Sequence, residues 1–325
     1  MSTKEYRPTL AQMRTFVTIA ENKHFGTAAN KLSISQPSLS QALVALENGL
    51  GVQLIERSTR KVIVTPVGEE LLPYAKATLE AADTFLAHSR GANGTLSGPL
   101  TLGLIPTVAP YLLTGVLTGF KDNYPELEPR IVEEQTKHLL QQLRDGQIDA
   151  GVIALPSEAS GLIEVPLYRE EFVVVLPEGH PLGGRDDLTL EELHQIDLLL
   201  LDDGHCLRDQ VLDLCRRASV NPSEAANTVT RAASLTTVIQ LVVAGLGGTL
   251  VPISALEAEC SRPGLSVSYF AEGVNAQREV GMVFRSSSSR AEEFKKLGAI
   301  IAESFTASLP EATRQRATLA PDYAA

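Results

Sequence analysis

The feature that most constrains this chain is a change in apolar spacing near Gly98-Pro99. Before it, apolar residues recur at three- and four-residue steps, the period of amphipathic helices. Leu10, Met13, Val17 and Ala20 mark one such face, and Leu39, Leu43, Leu46 and Leu50 another. After it, Leu100–Ile105, Val108–Asn123, Arg130–Glu134, Lys137–Gly146 and Ala150–Leu155 read as strand, helix, strand, helix, strand. That order implies a parallel sheet with helices on its faces. A helical head on an α/β body is expected.

With 325 residues the chain is long enough for two or three domains. Three cysteines do not make a disulfide framework and suit a reducing cytoplasm. Residues 1–7 carry no secretory pattern. The longest uncharged run, Ala232 to Leu256, is broken by Ser234, Thr236, Thr237, Gln240, glycines and Pro252. It reads as a buried helix, a turn and a strand at Thr249–Val251, so no membrane partner is expected. The net charge is −11, unevenly spread. The first 65 residues hold eight Lys or Arg against four Asp or Glu, and the rest holds 20 against 35. A mildly basic head on an acidic body is compatible with local DNA contact.

Within the head, Thr9 is expected to cap the first helix, Thr27 a short second one over Ala28–Leu32, and Ser35 a third with Pro37 in its first turn. Burying Leu39, Leu43, Leu46 and Leu50 turns Gln36, Ser38, Ser40 and Gln41 outward, as in a helix-turn-helix reading head. Gln can pair with adenine through two hydrogen bonds. Gln53–Arg57 and Val62–Thr65 flank Ser58-Thr59-Arg60-Lys61, a hairpin wing whose Arg57, Arg60 and Lys61 suit phosphates or a minor groove. Pro66 then opens a long helix with a short heptad seam at Leu71, Ala75, Thr78, Ala82 and Phe85, interrupted by Pro73. The seam points to a dimer. Gly91 to Pro99 reads as a hinge.

In the body, strands at Ile163–Leu167 and Glu171–Leu176 lead into a second unit. That unit holds Leu198–Leu201, Thr228–Thr230, Leu235–Ala244 and Thr249–Val251. Leu265–Phe270 and Glu279–Phe284 return to the first, followed by a helix over Arg290–Phe305. Two such lobes enclose a cleft, and ligands favour the C-terminal ends of strands there. Thr107 and Thr136 each follow a strand and precede a helix, as caps or as hydroxyl donors to a small polar ligand. Ser308 to Ala325 reads as a mobile tail. No P-loop, G-x-S-x-G or H-E-x-x-H occurs, and Gly245-Leu246-Gly247-Gly248 is not a dinucleotide fingerprint. No cofactor is expected, and no metal, since His205, Cys206 and Cys215 lack a fourth ligand and the usual spacing.

The stretch with most chemistry is Asp202-Asp203-Gly204-His205-Cys206-Leu207-Arg208-Asp209-Gln210, running on to Cys215. Leu207, Val211, Leu214 and Ala218 give it a helical face, with Asp203 or Gly204 as cap. Cys206 then lies in the first turn, beside His205 and Arg208, where unpaired N–H groups and the dipole favour a thiolate. A thiolate can attack a peroxide and become a sulfenic acid, which condenses with a second thiol. One helix would hold the two cysteines about 13.5 Å apart along its axis, whereas a disulfide needs Cα atoms roughly 4.4–6.8 Å apart. Reduced and oxidised forms would be two structures. Two ordinary buried cysteines are the competing reading, which fits Cys215 better than Cys206.

The chain resembles the LysR-type transcriptional regulators. The resemblance rests on Phe16-Val17, Phe25-Gly26-Thr27-Ala28-Ala29, Ser35-Gln36-Pro37-Ser38-Leu39-Ser40, Leu46-Glu47, Leu54-Ile55-Glu56-Arg57 and Thr65-Pro66-Val67-Gly68. Gly204 to Gln210 with Cys215, Ile105 to Leu113 and Gly245 to Gly248 are similar to the family's hydrogen-peroxide-sensing members. The resemblance implies a winged helix-turn-helix DNA-binding domain over 1–65, a dimerising linker helix over 66–93 and a hinge over 94–98. It further implies a two-lobed, periplasmic-binding-protein-like α/β effector domain. Subdomain I spans 99–167 and 269–307, subdomain II with both cysteines spans 168–268, and 308–325 is a tail. Cys206 would be the peroxide-reactive cysteine and Cys215 its resolving partner. Thr107, Thr136, His205, Arg208, Asp209 and Arg285 would serve the peroxide pocket, and Thr27, Ser35, Gln36, Pro37, Ser38, Ser40, Gln41, Arg57, Arg60 and Lys61 the DNA. The implied partners are double-stranded DNA, hydrogen peroxide and further copies of the chain, a dimer through the linker helix and then a tetramer. RNA polymerase is a further candidate partner. A LysR-type regulator answering a small organic effector is the alternative, and a thiol peroxidase is the third reading.

Overall fold

The computed structural model describes residues 6–57, 62–90, 96–218 and 226–323. They fall into two compact units, the first made chiefly of residues up to Thr95 and the second chiefly of those from Leu96 on.

The first unit comprises α1 (Leu10–Asn22), α2 (Phe25–Lys31), α3 (Gln36–Leu50), β1 (Ile55–Arg57), β2 (Val62–Val64) and α4 (Pro66–Arg90). Thr9 and Gln12 cap α1 reciprocally. The cap of α2 is His24 instead of Thr27, because the imidazole Nδ1 accepts from the Thr27 backbone N–H. Ser35 caps α3, its Oγ accepting from the Ser38 N–H. Ser33, at φ 53, makes the turn between the two helices. Leu39, Leu43 and Leu46 join Phe16, Ile19, Ala28 and Ala29 in the core. Leu50, expected on the same face, is exposed, since the last turn of α3 carries it past that core before Gly51 ends the helix. β1 and β2 pair antiparallel, Ile55 opposite Val64. Leu71 and Ala75 pack on the same core, so the first part of the expected seam is used within the unit. Tyr74 and Phe85 remain exposed along α4, which runs through Pro73.

The second unit comprises β3 (Gly98–Leu104), α5 (Ala109–Asn123), β4 (Leu127–Glu133), α6 (Thr136–Arg144), β5 (Ala150–Leu155), β6 (Leu162–Pro177), β7 (Leu198–Leu201) and α7 (Cys206–Arg217). There follow β8 (Ala226–Ala232), α8 (Leu235–Val243), β9 (Thr249–Pro252), α9 (Leu256–Cys260), β10 (Leu265–Ser268), β11 (Gln277–Arg285), α10 (Ala291–Ser308) and β12 (Ala317–Leu319). β3 lies parallel to β4 and β5, as the alternating pattern required. The main sheet runs β10-β6-β11-β5-β3-β4, and β9 and β12 also pair with β6. The two strands expected at 163–167 and 171–176 are one, because pairing continues through Tyr168–Glu170 on both edges. β6 and β11 thereby carry the sheet from one lobe into the other, where β7 and β8 form a small parallel pair.

The tail expected beyond Ser308 is docked. β12 pairs antiparallel with β6, Ala317 opposite Glu170 and Leu319 opposite Tyr168. Arg316 pairs with Glu171 at 3.0 Å and stacks over the Tyr269 ring. An open strand edge offers unpaired backbone groups, and a short strand is enough to satisfy them. Among the described residues no helix is long and apolar enough to cross a membrane.

Candidate functional site

The loop from β7 into α7 sets the site. Asp202 N–H donates to the Ala232 carbonyl, which ties the loop to β8. Gly204 takes φ +94, a conformation that side chains oppose. It also has no room for one, since a Cβ there would lie 2.5 Å from Gln135 Oε1. That close approach brings the start of α6, with Thr136, beside the turn that begins at Cys206. Neither Asp203 nor Gly204 is the cap. His205 holds that position without a side-chain bond, and its ring is buried. Arg208 turns back to Asp203 at 2.9 Å and closes the loop. Cys206 is half-buried in the first turn, and Asp209 is exposed.

A buried cation that the sequence reading missed holds Thr107. Arg278 on β11 and Glu170 on β6 are fully buried, with Nη2 2.8 Å from Oε1. Arg278 Nε donates to the same oxygen at 2.9 Å. Nη1 donates to Thr107 Oγ1 at 2.8 Å and Nη2 to the Thr107 carbonyl at 2.9 Å. Burial works against the guanidinium charge, but Glu170 foremost, then Tyr168 and Cys206, raise its pKa above the ordinary value. The sulfur of Cys206 is thus within electrostatic reach of Arg278. A guanidinium only donates, so Thr107 Oγ1 must accept from it, and the threonine keeps its own O–H to give elsewhere.

Among the described residues four buried polar atoms lack a hydrogen-bond partner: Tyr168 Oη, Ser254 Oγ, Thr136 Oγ1 and Gln210 Oε1, the last of them one turn beyond Cys206. Such orphans require an explanation, and a small polar ligand supplies one. Arg285 is elsewhere. Its Nη1 donates to the carbonyls of Leu143 and Ile148, near the end of α6, whereas the guanidinium bound to Thr107 is that of Arg278. Arg278 lies just before the strand expected at Glu279–Phe284, and Glu170 falls between two expected strands, so neither was marked as a partner of the other.

Cys206 and Cys215 are free and sit at opposite ends of one unbroken helix. Cys215 is buried against the core, and desolvation pushes its thiol above the ordinary range. Cys260 lies in a separate group. Its neighbour Glu259 accepts from Tyr111 Oη on α5 and Thr236 Oγ1 on α8. Burial, with Glu259, pushes the Cys260 thiol up to about 12.

In the first unit, Thr27, Ser35, Gln36, Pro37, Ser38 and Gln41 are exposed around the start of α3, and Ser40 is half-buried. Thr27 and Ser35 are engaged locally, with His24 and Ser38. Gln36 and Gln41 are the long polar side chains left on that surface. Arg57 ends β1. Arg60 and Lys61 lie outside the described residues.

Residues 10–69 match the bacterial regulatory helix-turn-helix proteins of the lysR family, and residues 93–306 match the LysR substrate binding domain. A probable hydrogen peroxide-inducible genes activator of Mycobacterium leprae is 52% identical over 93% of this chain and 96% of its own length. The DNA-binding transcriptional dual regulator OxyR of Escherichia coli is 38% identical over 88% of this chain and 92% of its own. The H2O2-bound C206S mutant of Corynebacterium glutamicum OxyR is 65% identical, with a TM-score of 0.68 and 96% of both chains covered. A helix-turn-helix head, a two-lobed α/β body and matches that span both place the chain in the LysR family of transcriptional regulators, among relatives of the OxyR type.

Proposed function

We propose that this chain is a DNA-binding regulator switched by hydrogen peroxide at Cys206. The observation that carries the reading is the group around that thiol: a buried guanidinium that holds Thr107 as a donor, with the orphaned Thr136 and Gln210 oxygens beside the same turn. The peroxide named in the relatives' descriptions is a small polar molecule that can both accept from and donate to such groups.

The Cys206 thiolate attacks one peroxide oxygen. The S–O bond forms as the O–O bond breaks, and the leaving hydroxide takes a proton to become water. The Thr107 O–H stabilises charge on the leaving oxygen, and Arg278 stabilises both threonine and thiolate. Cys206 is then a sulfenic acid. Cys215, once deprotonated, attacks its sulfur, expels hydroxide and closes a disulfide. His205 walls the site. Arg208 and Asp209 serve the turn that must rearrange. Because α7 separates the cysteines, closure has to unwind it, and this is the bistable element that a switch needs. Gln36 and Gln41 on α3 read bases. The exposed Tyr74 and Phe85 on the 25-residue α4 support pairing of two copies, whose two heads meet two half-sites.

The test is peptide mapping by mass spectrometry after about one equivalent of peroxide, a single turnover. A Cys206–Cys215 cross-link with Cys260 free is expected, and Cys206→Ser should remove the peroxide-dependent change in DNA footprint. Free thiols at both positions in the wild type would end this reading in favour of a small organic effector.

A further inference from the structure

Resting on that reading of the Cys206 site, we infer that Glu170 is a positioning residue of the peroxide reaction, acting through Arg278 on both Thr107 and Cys206. Glu170 touches neither peroxide nor thiol. Its carboxylate does three things at once. Oε1 accepts from Arg278 Nε and Nη2 at 2.9 and 2.8 Å, fixing the plane of the guanidinium. That plane aims Nη1 and Nη2 at the hydroxyl and the carbonyl of Thr107. Oε2 accepts from the Ser254 N–H at 3.1 Å, which anchors the acid to the segment after β9. The orientation of Thr107 as a donor is therefore set two residues away from the reacting atoms, by an acid on a different strand.

The same acid sets the charge. Arg278 alone would present a full positive charge to Cys206 in a dry site. With Glu170 beside it, the pair is close to neutral overall, and the thiolate feels the excess of the nearer member. The other ionisable groups around Arg278 and Cys206 are Tyr168 on β6, Tyr111 on α5 with Glu259 on α9, and His205 with the Arg208–Asp203 pair at the start of α7. Among these, Glu170 is the carboxylate in direct contact with Arg278. It thus trades some attraction for the thiolate against a fixed geometry at Thr107.

The position of Glu170 is itself over-determined. β6 is paired on both edges at this residue, with Arg278 opposite it on β11 and Ala317 opposite it on β12. The sheet holds the acid on both sides, which suits a residue whose task is to keep another still.

The experiment follows sulfenic acid formation in the reduced full-length chain by quenched-flow mass spectrometry over a range of pH, for the wild type, Glu170→Gln and Glu170→Asp. Reduced-form DNA affinity and thermal midpoint serve as the check of folding. Glu170→Gln removes the charge and leaves an amide. The midpoint of its pH–rate profile should move to lower pH, and its limiting rate should fall at least about tenfold as the guanidinium loses its fixed aim. Glu170→Asp keeps the charge and draws Arg278 away from Thr107. Its midpoint should stay in place while its limiting rate falls. A residue that merely supports the fold would move neither midpoint, so the split between the variants is diagnostic. A wild-type limiting rate in Glu170→Asp overturns the inference even if the glutamine variant does not fold. A glutamine variant that folds and keeps both the wild-type rate and midpoint also overturns it. A wild type that fails to react overturns the reading of the site, and this inference with it.

Discussion

Replacing Val211 with alanine is expected to speed disulfide formation while weakening the fold. A bond between Cys206 and Cys215 needs Cα atoms roughly 4.4–6.8 Å apart, and an intact α7 holds them about 13.5 Å apart along its axis. The helix must therefore unwind, and its buried face of Leu207, Val211, Leu214 and Cys215 must leave the core. Val211 lies between the cysteines and is adjacent to neither. Alanine there deletes two carbons from a side chain that is 2% exposed. At ~0.8 kcal/mol per carbon this removes about 1.6 kcal/mol of burial, and the residual cavity brings the loss to about 2 kcal/mol. The undocked helix leaves position 211 in water, so the loss falls on the docked state alone. Undocking becomes easier by the same amount, which speeds the second step about tenfold to thirtyfold. The first step should not change, since Thr107, Arg278 and the first turn of α7 are untouched. Quenched-flow alkylation separates sulfenic acid from disulfide in time. A disulfide rate within about twofold of the wild type, in a variant whose thermal midpoint has fallen, would falsify undocking as the limiting event.

Gln36→Ala should weaken binding to the specific DNA site by about 1–3 kcal/mol and leave non-specific binding nearly unchanged; a uniform loss on all sequences would instead mark Gln36 as a phosphate contact. Arg316→Ala removes the pair with Glu171 and the stacking on Tyr269, both partly exposed, so about 1 kcal/mol should be lost in urea unfolding. An unchanged midpoint would show that β12 docks without it. Cys260 carries a pH signature. Its thiol is raised from 9.0 to about 12 in the folded chain, so the stabilising neutral form is fully present below 9.0 and lost as pH climbs toward the folded value. Wild-type stability should therefore fall more steeply than that of Cys260→Ala above pH 9; parallel slopes would mean that the thiol is solvated.

Much of the architecture was legible in local pattern. The strand at 150–155 and the third helix with its Ser35 cap follow from spacing and capping chemistry, which act within a few residues. So do the long helix from Pro66 and the cysteine helix. Cys206, Cys215 and His205 stood out because their neighbours in sequence are also their chemical environment. The cap of α2 was misplaced because histidine is a rarer cap than threonine, although its Nδ1 performs the same task.

The rest required the folded chain. Ala317–Leu319, expected as part of a mobile tail, is a strand because β6 has an open edge. Arg278 and Glu170 are 108 residues apart, and nothing near either one announces a buried ion pair. The sequence pointed to Arg285 as the arginine near the thiol, and not to Arg278. The sheet decided between them, setting one guanidinium on Thr107 and the other on the carbonyls at the end of α6. Periods, caps and breakers are properties of neighbouring residues, so the sequence by itself determined most of the elements and singled out Cys206 as the candidate thiol. Which buried charge meets which acid depends on strand order and register, and only tertiary structure decides that.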